Sequence, residues 1–275
     1  MCKNIKFLVF GIVFLLSGCA DNPITGQQEL MFFPEGQDVE IGKKYAPEIE
    51  KELGGRIKDN QLQQYIDGVG QKVAYMGHKP SWEYHFTALN HNMINAFALP
   101  GGYIFITKGL LRKLETEAQL AAVLAHETVH VVARDTMNAM SNDIGLSVLL
   151  TAAVSQENTQ GAVAAAGLTR MIVNLQYSRK DEREADLGGL SYMAAAGYNP
   201  YGMVETMQIL ENQQNFEAVD FFSTHPSPAN RVGYIGLQIE MKYDDLNLSK
   251  TITNRQDYKT NVLDRLPPDP PFELH

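Results

Sequence analysis

The residues best suited to chemistry in this chain of 275 residues form one pentamer, His-Glu-Thr-Val-His, from His126 to His130. Side chains four apart on an α-helix lie one turn above each other, so His126 and His130 can both direct an imidazole at one metal ion. Glu127 follows about 100° further round, which places its carboxylate beside the metal rather than on it. The spacing therefore predicts a metal site with a base for a water molecule that attacks a carbonyl carbon.

The pentamer alone is a weak signal, because about one chain in a hundred of this composition would contain it by chance. The surrounding segment strengthens the prediction. From Thr116 to Arg134 the chain is apolar on nearly every side and predicts a buried helix, with Thr116 and Gln119 as a capping box. Two histidines and a glutamate on a buried helix need partners, since an unpaired buried charge is costly. A metal site is therefore favoured over a satisfied pair of core histidines.

A catalytic zinc ion usually has a third protein ligand, and the best candidate lies in the charged run from Tyr177 to Asp186. Glu182 and Asp186 are four residues apart and would share a helix face. We assign Glu182 to the metal and Asp186 to a supporting position, where it accepts the second ring N–H of a ligand histidine. Two imidazoles and one carboxylate suit one zinc ion per chain. The alternative is a solvated helix face, in which Arg179 and Arg183 pair with these acids.

Helical and strand patterns precede the predicted zinc helix. Residues 37–53 and 61–75 have helical patterns, and residues 82–89 alternate as in a half-buried strand. A second strand-like run, residues 103–107, follows Pro-Gly-Gly. This order predicts a mainly helical α+β domain of zincin type. We expect a small mixed or antiparallel sheet whose edge strand borders the active-site cleft.

The glycines before the second strand suggest where a substrate would lie. Gly101 and Gly102 would let another backbone approach closely, and an edge strand beside a metal can hold an extended peptide by main-chain hydrogen bonds. Asn95, Ala96 and Phe97 would lie just before them. The alternative, equally consistent with composition, is that Pro-Gly-Gly is simply a turn.

The first residues are predicted to be a targeting segment. Lys3 and Lys6 precede an apolar stretch, Phe7 to Leu16, that is too short to span a bilayer, and small residues then lead to Cys19. This pattern resembles a bacterial lipoprotein signal, in which the chain is cut before Cys19 and the cysteine carries lipid. Ala20 resembles the residue that directs such proteins to the outer membrane. A plain secretory signal or an uncleaved anchor is the alternative.

The chain that would follow this signal is strongly acidic. Without the two lysines of residues 1–18 it has 21 basic and 32 acidic residues, a formal charge of −11 over 257 residues. Binding to nucleic acid or to anionic lipid requires basic surface. We therefore expect no nucleic-acid partner and a membrane attachment that depends on acyl chains at Cys19.

Four ordered motifs resemble one family of metallopeptidases. They are H-E-T-V-H, S-R-K-D-E-R-E-A-D at 178–186, N-A-F-A-L-P-G-G-Y-I at 95–104 and T-H-P-S-P-A-N-R at 224–231. They are similar to the gluzincin family that includes HtpX-like membrane proteases and the periplasmic proteases BepA and LoiP, and the likeness runs from about residue 36 to 240. The chain looks most like a LoiP-like or BepA-like periplasmic lipoprotein protease without C-terminal helical repeats.

The resemblance implies a role for each matching residue. The zinc ligands would be His126, His130 and Glu182, with Glu127 as general base, Asp186 as orienting carboxylate and residues 95–104 as the substrate strand. His225 matches a loop histidine that in the BepA branch can approach the metal and hold the enzyme closed. From the residues alone, His-Pro in this stretch is a turn and His225 is merely exposed. Arg231 matches an arginine that stabilises the oxyanion or only braces the loop.

These patterns predict a lipid-anchored zinc endopeptidase at the bacterial outer membrane, facing the periplasm and cleaving misfolded or unassembled envelope proteins. The alternative is a chaperone-like factor with a mostly closed zinc site, associated with the outer-membrane assembly machinery. A structural zinc is disfavoured because such sites usually have four Cys or His ligands. The expected divisions are a signal at 1–18, lipidated Cys19 and a tether at 19–36, the metallopeptidase domain at 37–245 and a Pro-rich tail at 246–275.

Overall fold

The computed structural model of the chain describes residues 19–142, 174–214, 220–226 and 230–268. The predicted signal, residues 1–18, and the end of the predicted tail, residues 269–275, lie outside these ranges. The strands are β1 (Cys19–Asp21), β2 (Gln28–Leu30), β3 (His85–Leu89), β4 (Ala96–Leu99) and β5 (Tyr103–Thr107). The helices are α1 (Glu35–Glu52), α2 (Asn60–Tyr75), α3 (Lys108–Leu111), α4 (Glu117–Ala133), α5 (Asp135–Asn142), α6 (Arg179–Ala195), α7 (Tyr201–Gln214), α8 (Asp220–Thr224), α9 (Arg231–Tyr243) and α10 (Arg255–Asn261). Short 3-10 turns occur at Pro100–Gly102, Leu248–Lys250 and Leu263–Arg265.

The sheet beside the predicted metal site is small and mixed. Its strand order is β3-β5-β4, with β3 parallel and β4 antiparallel to β5. Strand β4 is therefore an edge strand. The predicted α+β fold, mainly helical with a small mixed sheet, is confirmed.

The sheet separates two apolar cores, because successive side chains of a strand point to opposite faces. Ala96 and Ala98 belong to the core that also contains α2 and α4. Phe97 and Leu99 belong to the core on the α1 side. There the rings of Phe97 and Phe105 stack with their centroids 5.3 Å apart. Strand β4 is thus held on both faces.

Helix α4 matches the predicted segment, and every one of its residues is buried. The hydroxyl of Thr116 accepts a hydrogen bond from the Gln119 N–H at 3.2 Å. The amide oxygen of Gln119 accepts from the Glu115 N–H at 2.6 Å rather than from Thr116. The capping box is therefore only half formed, because the Gln119 side chain is also held by Glu205 of α7 at 2.9 Å.

The segment predicted as a tether, residues 19–36, is folded in the structure. Its strands β1 and β2 pair antiparallel. The amide of Asn138 on α5 donates to Glu29 at 2.9 Å, and the Ser141 hydroxyl accepts from the Phe32 N–H at 3.1 Å. The strands β1 and β2 thus form a hairpin that contacts α5.

The first part of the predicted tail, residues 246–268, also packs on the domain. Tyr258 of α10 is fully buried, and its hydroxyl donates to the Leu111 carbonyl at 2.7 Å. Arg265 lies 3.1 Å from Asp59, the N-cap of α2. The packed structure therefore continues beyond residue 245, the predicted end of the domain, because Tyr258 supplies apolar surface to the core. Within the described ranges, no helix has the length and apolar character needed to cross a bilayer.

Candidate metal centre

Helix α4 directs both histidines of the pentamer to one point. His126 and His130 are buried, and their Nε2 atoms are 3.1 Å apart. Their Nδ1 atoms face carboxylates instead, at 3.1 Å from Asp186 and 2.7 Å from Asp135. The Nδ1–H of His130 donates to Asp135, and Nδ1 of His126 lies in ionic contact with Asp186, so the Nε2 lone pair of each ring is left available for a metal.

Helix α6 brings the predicted third ligand to the histidines. The carboxylate oxygens of Glu182 lie 3.6 Å from Nε2 of His126 and 3.5 Å from Nε2 of His130. The close approach depends on Gly189, where a Cβ atom would lie only 2.9 Å from the His126 backbone nitrogen. Sequence reasoning missed Gly189, although it lies seven residues after Glu182 and therefore on the same helix face.

Asp186 is held by two further groups. Arg231 donates from Nε and Nη2 to its two oxygens at 2.8 and 2.6 Å, and the Tyr234 hydroxyl also donates to it. Burial would raise the pKa of Asp186, but the charge of Arg231 lowers it below its usual value. Asp186 and Glu182 are both fully buried, so the alternative of a solvated helix face is wrong for these two acids. Arg231 also lies 3.1 Å from Glu182, and it therefore braces both carboxylates.

Asp135 supports the second histidine and was not identified from the sequence. Helix α4 ends at Ala133, its C-cap residue Arg134 has a left-handed backbone (φ 61°), and α5 begins at the next residue. This reversal turns the Asp135 carboxylate back to His130. Arg134 is itself fixed by two hydrogen bonds of 2.7 Å to Asp38 of α1. The sequence signal that could have identified Asp135 is an acidic residue directly after the end of the helix, five residues beyond the second histidine.

Glu127 and His225 lie on the other side of the histidine pair. His225 is fully buried, so the exposed turn expected from its sequence context is wrong. Its Nε2 lies 3.4 Å from Glu127, and its ring stacks on Phe221 with centroids 4.3 Å apart. Neither oxygen of Glu127 accepts a hydrogen bond from any residue that the structure describes. Burial would raise the pKa of Glu127, but His225, His126 and His130 lower it below its usual value.

The donor set fits a zinc ion. His126, His130, Glu182 and His225 each offer a ligand atom, and these four atoms all lie within 4.8 Å of one another. Two nitrogens on a tetrahedral zinc at 2.0–2.1 Å would be about 3.4 Å apart, close to the observed separation of the two Nε2 atoms. Burial lowers the pKa of His126, whereas for His130 the effect of burial is outweighed by hydrogen bonds with Asp135 and Glu182, which raise its pKa well above the usual value, so a metal bound here would displace a proton from His130. Buried polar atoms without partners are costly, and a bound cation would satisfy the Glu182 oxygens and the Nε2 atom of His225.

Comparison with known proteins gives the family. The family model described as Peptidase family M48 matches residues 57–236, more than half of the chain. The chain belongs to peptidase family M48. This confirms the predicted resemblance and, with the buried donor set, the predicted zinc cofactor of this M48 chain.

The relatives of this M48 chain include longer proteins. A Beta-barrel assembly-enhancing protease of Escherichia coli K12 is 28% identical over 209 residues, which cover 72% of this chain and 42% of the relative. The Mitochondrial metalloendopeptidase OMA1 of Schizosaccharomyces pombe is 30% identical over 207 residues, covering 70% and 60%. OMA1 of Saccharomyces cerevisiae is 32% identical over 217 residues, covering 75% and 57%. The M48 chain thus spans less than two thirds of each of these relatives.

The predicted substrate strand of the M48 chain, residues 95–104, covers Asn95, β4, the turn at Pro100–Gly102 and the start of β5. Asn95 is fully buried, and both polar atoms of its side chain lack a hydrogen-bond partner among the described residues. The carbonyl of Ile94 accepts from the Phe221 N–H at 3.0 Å, which ties the strand to helix α8 beside His225. The side chain of Phe97 instead packs in the α1 core.

Gly101 and Gly102 have a different explanation from the one that favoured substrate approach. Both have positive φ, 78° and 93°, in the turn between β4 and β5. A Cβ atom at Gly101 would lie 2.6 Å from the Asp38 carbonyl, and one at Gly102 would lie 2.1 Å from the Glu83 carbonyl. The backbone that approaches these glycines is the chain's own, so they serve the turn.

Proposed function

We propose that this M48 chain is a zinc-dependent endopeptidase. The observation that carries the proposal is the buried group of His126, His130 and Glu182, next to a Glu127 carboxylate that accepts no hydrogen bond within the described part of the chain. Zinc at such a site polarises a carbonyl and lowers the pKa of a water to about 7. An acid left unpaired beside this donor set is placed to act on that water.

Each residue of the site then has one task. His126, His130 and Glu182 would hold the metal, while Asp186 and Asp135 fix the two ring orientations. Glu127 would take a proton from the attacking water and pass it to the leaving amine. Its pKa, held below the usual value, keeps the carboxylate ionised and ready to accept that proton.

Arg231 is a positioning residue in this proposal. It contacts both Asp186 and Glu182 from inside the protein, and it is 1% exposed. Its hydrogen bonds are directed at these carboxylates, which supports bracing over contact with an oxyanion.

The test is a peptidase assay on casein with zinc content measured in parallel. Glu127→Gln should keep one zinc per chain and lose proteolysis, because an amide cannot take the proton. Glu211→Gln, at an exposed acid of α7, is the matched control and should retain full activity. Undiminished cleavage by Glu127→Gln would exclude the mechanism.

We propose further that Cys19 carries a lipid anchor at the outer membrane and that the substrates are misfolded or unassembled envelope proteins. The support is the lipoprotein-like segment and the likeness to proteins named Beta-barrel assembly-enhancing protease, of which this chain spans 42%. The division at 1–18, 19–36, 37–245 and 246–275 remains part of this proposal. Cys19→Ser should abolish incorporation of labelled palmitate and release the protein from outer-membrane vesicles; continued labelling would refute the anchor.

His225 supports a second candidate, a chaperone-like factor that works with the outer-membrane assembly machinery. Its Nε2 belongs to the group of four donor atoms and lies 3.4 Å from Glu127, as a closed site would require. In this case the protein would bind unassembled polypeptides without cleaving them. Complete rescue of envelope assembly by Glu127→Gln would favour binding over hydrolysis.

A further inference from the structure

The hairpin of β1 and β2 begins at Cys19, the residue proposed to carry lipid. Cys19 pairs with Leu30 in the antiparallel register. Residues directly opposite in such a pair lie on the same face of the ladder, with Cβ positions about 5 Å apart. Position 30 is therefore next to the point at which a lipid would be attached.

The residues around Leu30 alternate between the protein and the surface. Glu29 accepts a hydrogen bond from Asn138 at 2.9 Å, and Met31 is buried in the α1 core. Leu30 and Phe32 point the other way, and their side chains are 38% and 55% exposed. The face that contains position 19 thus presents two apolar side chains beside it.

The loop that carries Phe32 is held by hydrogen bonds on both sides of this residue. The Phe32 N–H donates to the Ser141 hydroxyl at 3.1 Å, and that hydroxyl donates to the Met137 carbonyl at 2.7 Å. The Phe33 carbonyl accepts from Arg134 at 2.8 Å. These bonds tie the loop to the end of α4 and to α5. The domain therefore fixes the place at which the Phe32 ring is exposed.

The position of Cys19 limits how far the domain could stand from a membrane. Residues 19–21 already form β1, so a lipid on Cys19 would be attached directly to folded structure. Each headgroup region of a bilayer is about 5–7 Å thick, which is close to the distance between paired positions 19 and 30. The acidic chain would not be attracted to anionic headgroups, so a favourable contact at this depth has to be apolar.

We infer, on the basis of the proposed lipid anchor, that Leu30 and Phe32 enter the surface of the phospholipid bilayer and hold the anchored domain in one orientation. The hairpin is suited to this contact because its face changes character along its length. Asp21 and Gln28 pair with each other at the other end of the ladder, and both are exposed. The apolar end lies at Cys19, and the polar end leads away from the membrane.

The test uses the full chain, lipidated in bacteria and reconstituted in vesicles of phosphatidylethanolamine and phosphatidylglycerol. The sequence contains two cysteines, Cys2 in the predicted signal and Cys19 at the anchor, so an added cysteine would be the single reactive thiol. Leu30→Cys and Phe32→Cys are each labelled with a nitroxide. Electron paramagnetic resonance then compares accessibility to oxygen, which concentrates in lipid, with accessibility to a water-soluble nickel chelate.

Leu248→Cys is the matched control. Leu248 is 42% exposed, and it precedes Thr253, whose carbonyl accepts from the Ala118 N–H at the start of α4. Arg134, which bonds to the loop of Phe32, lies about 24 Å away at the other end of this helix, at ~1.5 Å per residue. The oxygen-to-nickel accessibility ratio should be severalfold higher at positions 30 and 32 than at 248.

A charge on the apolar face should reverse this result. Phe32→Asp, added to Leu30→Cys, should lower the ratio at position 30 to the value at position 248, because an ionised carboxylate is costly to remove from water. Leu248→Asp, added to Leu30→Cys, should leave the ratio high. Cleavage of casein at the wild-type rate shows that each labelled variant is folded.

The possible outcomes separate the contact from the functions on which it depends. Uptake of the nitroxide by wild type would reveal a cysteine that the proposed processing removes or acylates, and this would overturn both the anchor and the contact. Equal ratios at 30, 32 and 248 in lipidated protein overturn the contact and leave the anchor. Leu30→Cys alone decides this if Phe32→Cys does not fold. High ratios in a protein without peptidase activity support the contact and overturn the peptidase function alone.

Discussion

The two sides of the histidine pair differ in how completely their polar groups are bonded. On the supporting side, defined by Asp135, Asp186 and Arg231, the carboxylates are held at 2.6–2.8 Å. On the reacting side, defined by Glu127 and His225, the shortest ionic contact is 3.4 Å and the Glu127 oxygens accept no hydrogen bond. Both sides are buried, so solvent does not explain the difference.

The difference indicates what each side is built to do. The short contacts of Asp135 and Asp186 hold these carboxylates beside the ligand rings, and such outer partners orient the rings and raise metal affinity. Groups left unbonded in a buried site keep their capacity for a ligand, at a cost in stability. In the proposed peptidase, the supporting side would fix the ligand geometry, and the reacting side would stay free to bind water and substrate.

The largest expected effect is on the supporting side, where Asp186→Ala leaves Arg231 buried without its main partner. We expect the free energy of unfolding to fall by about 3–5 kcal/mol, as for other buried pairs that lose one member. Chemical denaturation in the presence of a zinc chelator measures this loss without a contribution from metal. Glu211→Ala, at an exposed acid, should change the value little. Equal losses in the two variants would contradict the bracing role.

A smaller effect is expected from Asp135, which fixes only one ring. Asp135→Ala should weaken zinc binding by about 10- to 100-fold, the usual effect of losing a partner of a ligand histidine. Asp135→Asn retains an oxygen that can accept from His130 and should lose less. Competition against a chromogenic chelator measures both affinities. If the two variants bind zinc as tightly as wild type, Asp135 does not orient the ring.

Much of the metal centre could be predicted from sequence because its residues repeat with the period of a helix. The four-residue spacings placed His126 with His130 and Glu182 with Asp186, and the family motifs joined the two pairs. Gly189 was missed because its role depends on the distance between two helices. That distance is set by packing and does not appear in the periodicity of either helix.

Asp135 and His225 were missed or misjudged for another reason. The direction of the Asp135 carboxylate depends on the left-handed backbone of Arg134, a conformation that few non-glycine residues adopt. His225 resembles an exposed turn residue because composition reports local preference, whereas its burial also depends on helix α4, about a hundred residues earlier, where Glu127 lies 3.4 Å from its ring. The helices and strands were predicted correctly where the sequence pattern is periodic. The packing of the predicted tether and tail on the domain was not predicted, because these segments have no periodic pattern.

On the reacting side, His225→Ala tests whether His225 keeps the metal site closed. The variant should keep one zinc per chain, because His126, His130 and Glu182 remain, and its peptidase activity should rise severalfold as Glu127 loses a neighbour. Initial rates on a labelled casein substrate, with zinc content measured on the same samples, give both quantities. His85→Ala, on the far edge strand β3, is the control and should leave the rate unchanged. An unchanged or lower rate for His225→Ala would exclude the closing role.

The smallest effect expected is that of Glu127→Gln on stability. Because the Glu127 oxygens accept no hydrogen bond, the substitution forfeits none, and the amide keeps the shape of the side chain. The loss of attraction to His225 at 3.4 Å should be partly offset by the removal of a buried charge. We expect the free energy of unfolding to change by about 1 kcal/mol or less, against about 3–5 kcal/mol for Asp186→Ala.

Denaturation of both variants under the same chelating conditions makes the comparison. A loss for Glu127→Gln as large as that for Asp186→Ala would show that Glu127 is a structural partner, and the contrast between the two sides would then fail.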